Sequence, residues 1–154
     1  MKQIIALAAI LMASSASTGM DARAADADIL FACNLSDEDQ SIPTYSPGTG
    51  RAQIWLERAT LKVTWTITYQ DVTSPVIDAG MYGPENVGAN AGQYLNFSPD
   101  KKYASPLQGS KVLSDGEFQY LVTGRTYVNV HTTKYKEGEL RCQLRRQRLP
   151  QTPA

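Results

Sequence analysis

Residues 125–144 read RTYVNVHTTKYKEGELRCQL and hold the chain's only histidine, His131, and one of its two cysteines, Cys142. Val128 and Val130 alternate with Tyr127, Asn129 and His131, while Leu140, Cys142 and Leu144 alternate with Glu139, Arg141 and Gln143. A strand turns successive side chains to opposite faces, so each run has one apolar and one polar face. A hairpin turning through TTKYKEG, 132–138, pairs Val128 with Cys142 and Val130 with Leu140, gathering the apolar members on one side. The same register sets Asn129 opposite Arg141 and His131 opposite Glu139 on the outer face, where His131 is expected to hydrogen-bond Glu139. A slip of one residue would mix the faces, which selects this register. Tyr127, Asn129, His131, Glu139 and Arg141 are thus read as the structural outer side of the hairpin, and Cys142 points into the core.

The same period extends upstream. In TLKVTWTITYQ, 60–70, Leu61, Val63, Trp65, Ile67 and Tyr69 face one way, and a row of threonines with Lys62 and Gln70 faces water. Ile29, Phe31, Cys33 and Leu35 share a face in 28–35, and Ile54 and Leu56 point inward in 52–57, leaving Trp55 outward or at an edge. A weaker strand, 92–97, turns Leu95 and Phe97 inward. Gly- and Pro-containing stretches separate these runs: SPGTG at 46–50, YGPENVGANAG at 82–92 and SPDKKYASP at 98–106. One short helix is expected near 114–123. Ser114 and Glu117 hold capping-box positions, Leu113 and Phe118 staple positions, and Gly124 the stop, with Phe118, Leu121 and Val122 buried. Short strands with this punctuation predict an all-β antiparallel Greek-key sandwich carrying one helix.

The first 24 residues read as a cleaved signal peptide: Lys2, an apolar run at 4–13 (IIALAAILMA), and a small-residue site at Ala22-Arg23-Ala24. The run falls short of the roughly 20 residues a spanning helix needs. Removing Lys2, Arg23 and Asp21 from the 15 basic and 15 acidic groups leaves 13 and 14, a formal charge of −1. That balance offers no general pull toward nucleic acid or an anionic membrane. Residues 25–144 then form one domain, and 145–154, RRQRLPQTPA, a basic, Pro-containing flexible tail. The product is expected to be exported, either periplasmic or secreted. In an oxidising compartment Cys33 and Cys142 are expected to form one disulfide, worth roughly 4–5 kcal/mol in loop closure.

YVNVHT followed by EGELRCQL resembles the closing signature of the chordin-type CHRD domain, commonly Y-V-N-V-H-T…P-G-G-E-I-R-G-Q. LSDEDQSIP, 35–43, is similar to the family's early L-S-G-x-Q-E-V-P-P segment. GRAQIWLERATLKVTWTITYQDVTSPV, 50–76, resembles its paired strands, and LSDGEFQYLVTGRTYVNVHT, 113–132, its helix-and-strand entry to the signature. The resemblance implies the sandwich fold and compatibility with extracellular protein interaction, as in chordin, an antagonist of bone morphogenetic proteins; it transfers no ligand. Many members carry A-A-H-I-H-G-P after the paired strands, where this chain has Asp78-Ala79-Gly80-Met81-Tyr82-Gly83-Pro84. Against that pattern both histidine places are changed, to Gly80 and Tyr82, while Cys142 stands for the glycine before the signature's final glutamine.

Chemistry-bearing residues are few. A metal site with His131 would have to recruit carboxylates such as Glu139 or Glu85, short of the imidazoles and thiolates that divalent transition ions favour. No motif presents a serine nucleophile, and the cysteines lack C-x-x-C spacing. The chain is therefore read as a non-catalytic binding or scaffold module without a cofactor. The alternatives are a metal-binding or redox-related envelope protein using His131 with acidic partners, and a hydrolase. Trp55, Tyr82, Tyr103 and Tyr135 fall outside the inward patterns and form the candidate binding surface, with an envelope or extracellular protein or a glycan as partner. Asn34 and Asn96 begin N-x-S sequons, which matter only in a eukaryotic secretory pathway.

Overall fold

A computed structural model describes residues 28–148. The expected leader, 1–24, and residues 149–154 of the expected tail lie outside the described residues. Among the described residues nine strands and one helix follow in the order β1 Ile29–Leu35, β2 Thr49–Glu57, β3 Lys62–Gln70, β4 Val76–Tyr82, β5 Gln93–Asn96, β6 Leu107–Val112, α1 Asp115–Val122, β7 Tyr127–Thr132, β8 Leu140–Gln143 and β9 Arg145–Arg146. They form two antiparallel sheets, ordered β6-β3-β2-β1-β9 and β5-β4-β7-β8. Strand β6 returns beside β3, at the edge of the β1-β2-β3 meander, after β4 and β5 have crossed to the other sheet. The all-β sandwich expected from the alternation is the fold observed.

The period-two faces explain the layering. Phe31, Ile54, Leu56, Val63, Trp65 and Ile67 from the first sheet meet Ala79, Met81, Leu95, Val128, Val130 and Leu140 from the second in one buried core. The β7–β8 register pairs Val128 with Cys142, Asn129 with Arg141 and Val130 with Leu140, as the hairpin pattern required. Strand β1 is buried on both faces: Leu30 and Ala32, on its outer side, are nearly inaccessible. Leu61 departs from its expected inward place, because it lies in the β2–β3 turn with φ of 54° and only half-buried.

The helix has the expected capping box. Glu117 N–H donates to Ser114 Oγ, and Ser114 N–H donates to Glu117 Oε2 at 2.8 Å. Its N-terminal register holds, but its buried side is narrower than the pattern suggested. Leu121 is fully buried and Phe118 half-buried, whereas Val122 is exposed at the last turn. Gly124 ends the helix with φ of 74°, a conformation that costs glycine little.

Chain continuity past Leu144 is also more ordered than a tail. Arg145 and Arg146 pair with Ala32 and Phe31, and Gln147 N–H donates to Leu30 O. The reason is local: β1 has an open edge there, and backbone groups beside it find partners.

Candidate functional site

The outer face of the second sheet collects the residues with chemical potential, and it is not a solvated ladder. Tyr127, Asn129, Glu139 and Arg141 are all buried, because the β1–β2 and β4–β5 loops fold over them. Glu139 does not bond His131. Its carboxylate sits at the end of the sandwich, where Oε1 accepts from Ser46 Oγ (2.7 Å) and Thr73 N–H (2.7 Å). Oε2 accepts from Thr132 Oγ1 (2.7 Å) and Thr73 Oγ1 (3.0 Å). One side chain thereby ties the β1–β2 loop, the β3–β4 loop and the end of β7. Burial alone would raise the Glu139 pKa, but these bonds outweigh it and hold the carboxyl below its ordinary range.

Arg141 anchors a different loop. Its guanidinium lies 3.6 Å from the Tyr127 ring centre and donates to Ala89 O (2.6 Å), Asn90 Oδ1 (2.9 Å) and Asn86 O (3.2 Å). Its backbone also pairs with Ser36 across the seam between the sheets. Burial lowers the arginine's pKa, opposed by Tyr127, Asp39 and Glu85. Arg141→Met, which keeps the apolar stem, is expected to lose about 2–3 kcal/mol for three hydrogen bonds. Urea denaturation should record that loss, and amide exchange should quicken at 86–91.

His131 is placed by stacking. Its ring lies 5.5 Å from that of Tyr82, which stacks at 5.4 Å on Tyr127. Nδ1 lies 2.7 Å from Lys136 O, while Nε2 is closed from solvent and without a partner among the described residues. Asp78, opposite His131 on β4, is the second saturated carboxylate. It accepts from Tyr82 Oη (2.6 Å), Gln93 Nε2 (2.9 Å) and Asn96 Nδ2 (2.7 Å), with Tyr103 Oη at 3.4 Å. Burial, reinforced by Asp78, pushes the Tyr82 phenol well above its ordinary pKa. An acid inside the otherwise apolar run VIDAGMY was the sequence signal for this hub.

Gly80 completes the cluster. A Cβ there would run into Leu95 O and Gln93 Nε2, so the position admits no side chain unless β5 moves. Gly80→Ala is expected to destabilise by about 1–3 kcal/mol, as overpacking does, measurable as a lowered urea midpoint.

The proposed surface aromatics separate. Tyr82 is buried at the end of β4, correcting its expected loop exposure, because its ring fills the space between Tyr127 and His131. Tyr103 is half-buried against the core, and Tyr135 donates to Thr44 O at 2.8 Å. Trp55 lies outward on β2 and is 43% exposed. Glu85 sits in the β4–β5 loop and accepts from Asn86 N–H. Among the described residues no three His, Cys, Asp or Glu side chains come together as metal ligands, and no helix is long and apolar enough to cross a membrane. Sequence pattern missed Ile42 and Tyr45, 73% and 87% exposed. Thr44 and Ser46 bond Glu139 and leave Tyr45 between them turned out, a consequence of long-range contacts that no local signal carries.

Cys33 of β1 and Cys142 of β8 form a disulfide with Cα atoms 5.8 Å apart, joining the two sheets. No curated protein and no solved structure matches the chain. The family model for the CHRD domain matches residues 31–144, from the first core strand to the end of the closing hairpin, and the chain belongs to that family.

Proposed function

We propose that the protein is a non-catalytic binding module of the cell envelope or extracellular space. One observation carries this reading: the signature's reactive side chains are engaged internally. Glu139 takes four donors, Arg141 reaches three acceptors, and His131 Nε2 is closed from solvent. What remains available is surface, held in place by saturated hubs and a covalent link between sheets. Family membership and the disulfide both fit an oxidising, extracellular location. A pre-organised surface loses less entropy on association than a mobile one, which suits a binding role.

The test immobilises the folded protein and passes over it the polysaccharide and protein fractions of the envelope. Saturable retention of one fraction, lost with denatured protein, is the expected result. Retention of neither fraction overturns the reading. So does stoichiometric copper or zinc in tag-free protein that is lost in His131→Ala, or hydrolytic turnover abolished by that substitution.

A further inference from the structure

The outer face of the five-stranded sheet is a grid built by the strand register. One row across the strands is Leu30, Trp55, Thr64 and Ser110; the next is Ala32, Gln53, Thr66 and Gln108. Trp55, Thr64, Gln108 and Ser110 are exposed, and Gln53 and Thr66 half-exposed. Adjacent strands lie about 4.8 Å apart, so the side chains stand in close rows across an open sheet face.

The chemistry of this surface is narrow. Hydroxyl and carboxamide groups each donate and accept, unlike the charged side chains that do only one. Gln108 Nε2 reaches Thr66 Oγ1 at 3.4 Å, while the side chains of Gln53, Thr64 and Ser110 make no hydrogen bond with the described residues. Charge is confined to the margins: Arg51 bonds Asn34 Oδ1 at 3.0 Å, Glu57 faces Lys62 at the opposite end, and Arg145 ends a row beside β1.

A nucleic acid or anionic lipid would need an array of cations here. A stable protein interface would need a cluster of apolar anchors, and this face offers one indole and, at its margin opposite Lys62, an isolated Val112. A neutral sugar matches both features. Its hydroxyls donate and accept in turn, and the C–H face of its ring lies on an aromatic plane.

We propose that the Trp55 face binds an uncharged polysaccharide, with the Trp55 indole as stacking platform and Gln53, Thr64, Thr66, Gln108 and Ser110 as hydrogen-bonding partners. The proposal rests on the binding-module reading and names its ligand class. An open sheet face takes a run of sugar units rather than a chain terminus.

Native gels cast with soluble dextran, mixed-linkage β-glucan, galactomannan or arabinoxylan test this, with polygalacturonate as the charged control. The wild type should be retarded by at least one neutral polymer and not by polygalacturonate. Trp55→Ala should weaken that retardation about tenfold, the order expected of a central aromatic contact. Thr66→Val with Gln108→Leu should weaken it severalfold, and Tyr45→Ala should leave it unchanged. Trp55 projects from the outer face, so circular dichroism and the melting temperature of Trp55→Ala should match the wild type. Trp65 is only 5% exposed, so any polymer-induced change in indole fluorescence reports on Trp55.

No retardation by any neutral polymer overturns the proposal, as does full retention in Trp55→Ala. A self-associated dimer that Trp55→Ala dissociates also overturns it, because a second copy then occupies the face. If no neutral polymer retards the protein but it still retains an envelope protein fraction, the glycan proposal fails and the binding-module reading stands. If no fraction is retained, both fail.

Discussion

Replacing Cys33 and Cys142 together by alanine is expected to lower unfolding stability by about 4–5 kcal/mol, the largest effect of any change considered for this domain. The bond spans 109 positions, so it closes nearly the whole described chain and withdraws the conformations that an open chain would gain on unfolding. It also joins β1 to β8 beside the Ser36–Arg141 bridge, so losing it loosens a side where the two sheets meet through backbone pairing. Two alanines serve better than one, since a single substitution leaves an unpaired thiol in the core. Urea denaturation of wild type, of wild type with reductant and of the double variant should show a lowered midpoint for the last two. The slope should rise as well, because an uncrosslinked unfolded chain exposes more surface. A loss below about 1 kcal/mol would refute the staple as a main source of stability.

Glu139→Ala is expected to cost about 3–4 kcal/mol, because it leaves four donors facing an emptied, buried site. The hydroxyls of Ser46, Thr73 and Thr132 can turn toward other acceptors, but the Thr73 N–H is fixed by the backbone. Glu139→Gln should cost less, about 1–2 kcal/mol, since the amide oxygen can still accept from that N–H. The pH dependence follows from linkage. The folded-state pKa is depressed, so the carboxylate's contribution is fully present above its unfolded value and is lost as pH falls through the folded value. The stability gap between wild type and Glu139→Gln should therefore be constant near neutrality and shrink on the acid side, below about pH 4. Chemical denaturation from pH 7 to pH 3 measures it. A gap that widened on acidification would show that Glu139 is folded as the protonated acid.

The two cases differ in how legible they were. Alternation in VNV and LRCQL, and in TLKVTWTITYQ, determined which side chains share a face, because a strand's period of two is a property of the backbone itself. Register followed, since only one pairing keeps every apolar member together. From that came the sandwich, the inward aim of Cys142 and Cys33, and the threonine row facing away from the core. The capping box was equally local, being two side chains and two amides within one turn.

What the alternation could not state is what lies over each face. Asn129, Glu139 and Arg141 read as solvent-facing because polar residues opposite apolar ones usually are. The structure places loops over them, and those loops arrive from residues 36–46, 73 and 86–90, far away in the chain. For the same reason Tyr82 passed for an exposed loop aromatic, when Gly80 and the Asp78 acceptor let its ring lie within the sheet's outer cluster. The sequence by itself determined the period, the register and the pairing of the cysteines. Only the tertiary structure decided that the signature's charges are internal ties and that the Thr- and Gln-bearing face stays open. Faces are set by backbone geometry between neighbours, whereas their cover is set by loop closure across the whole chain.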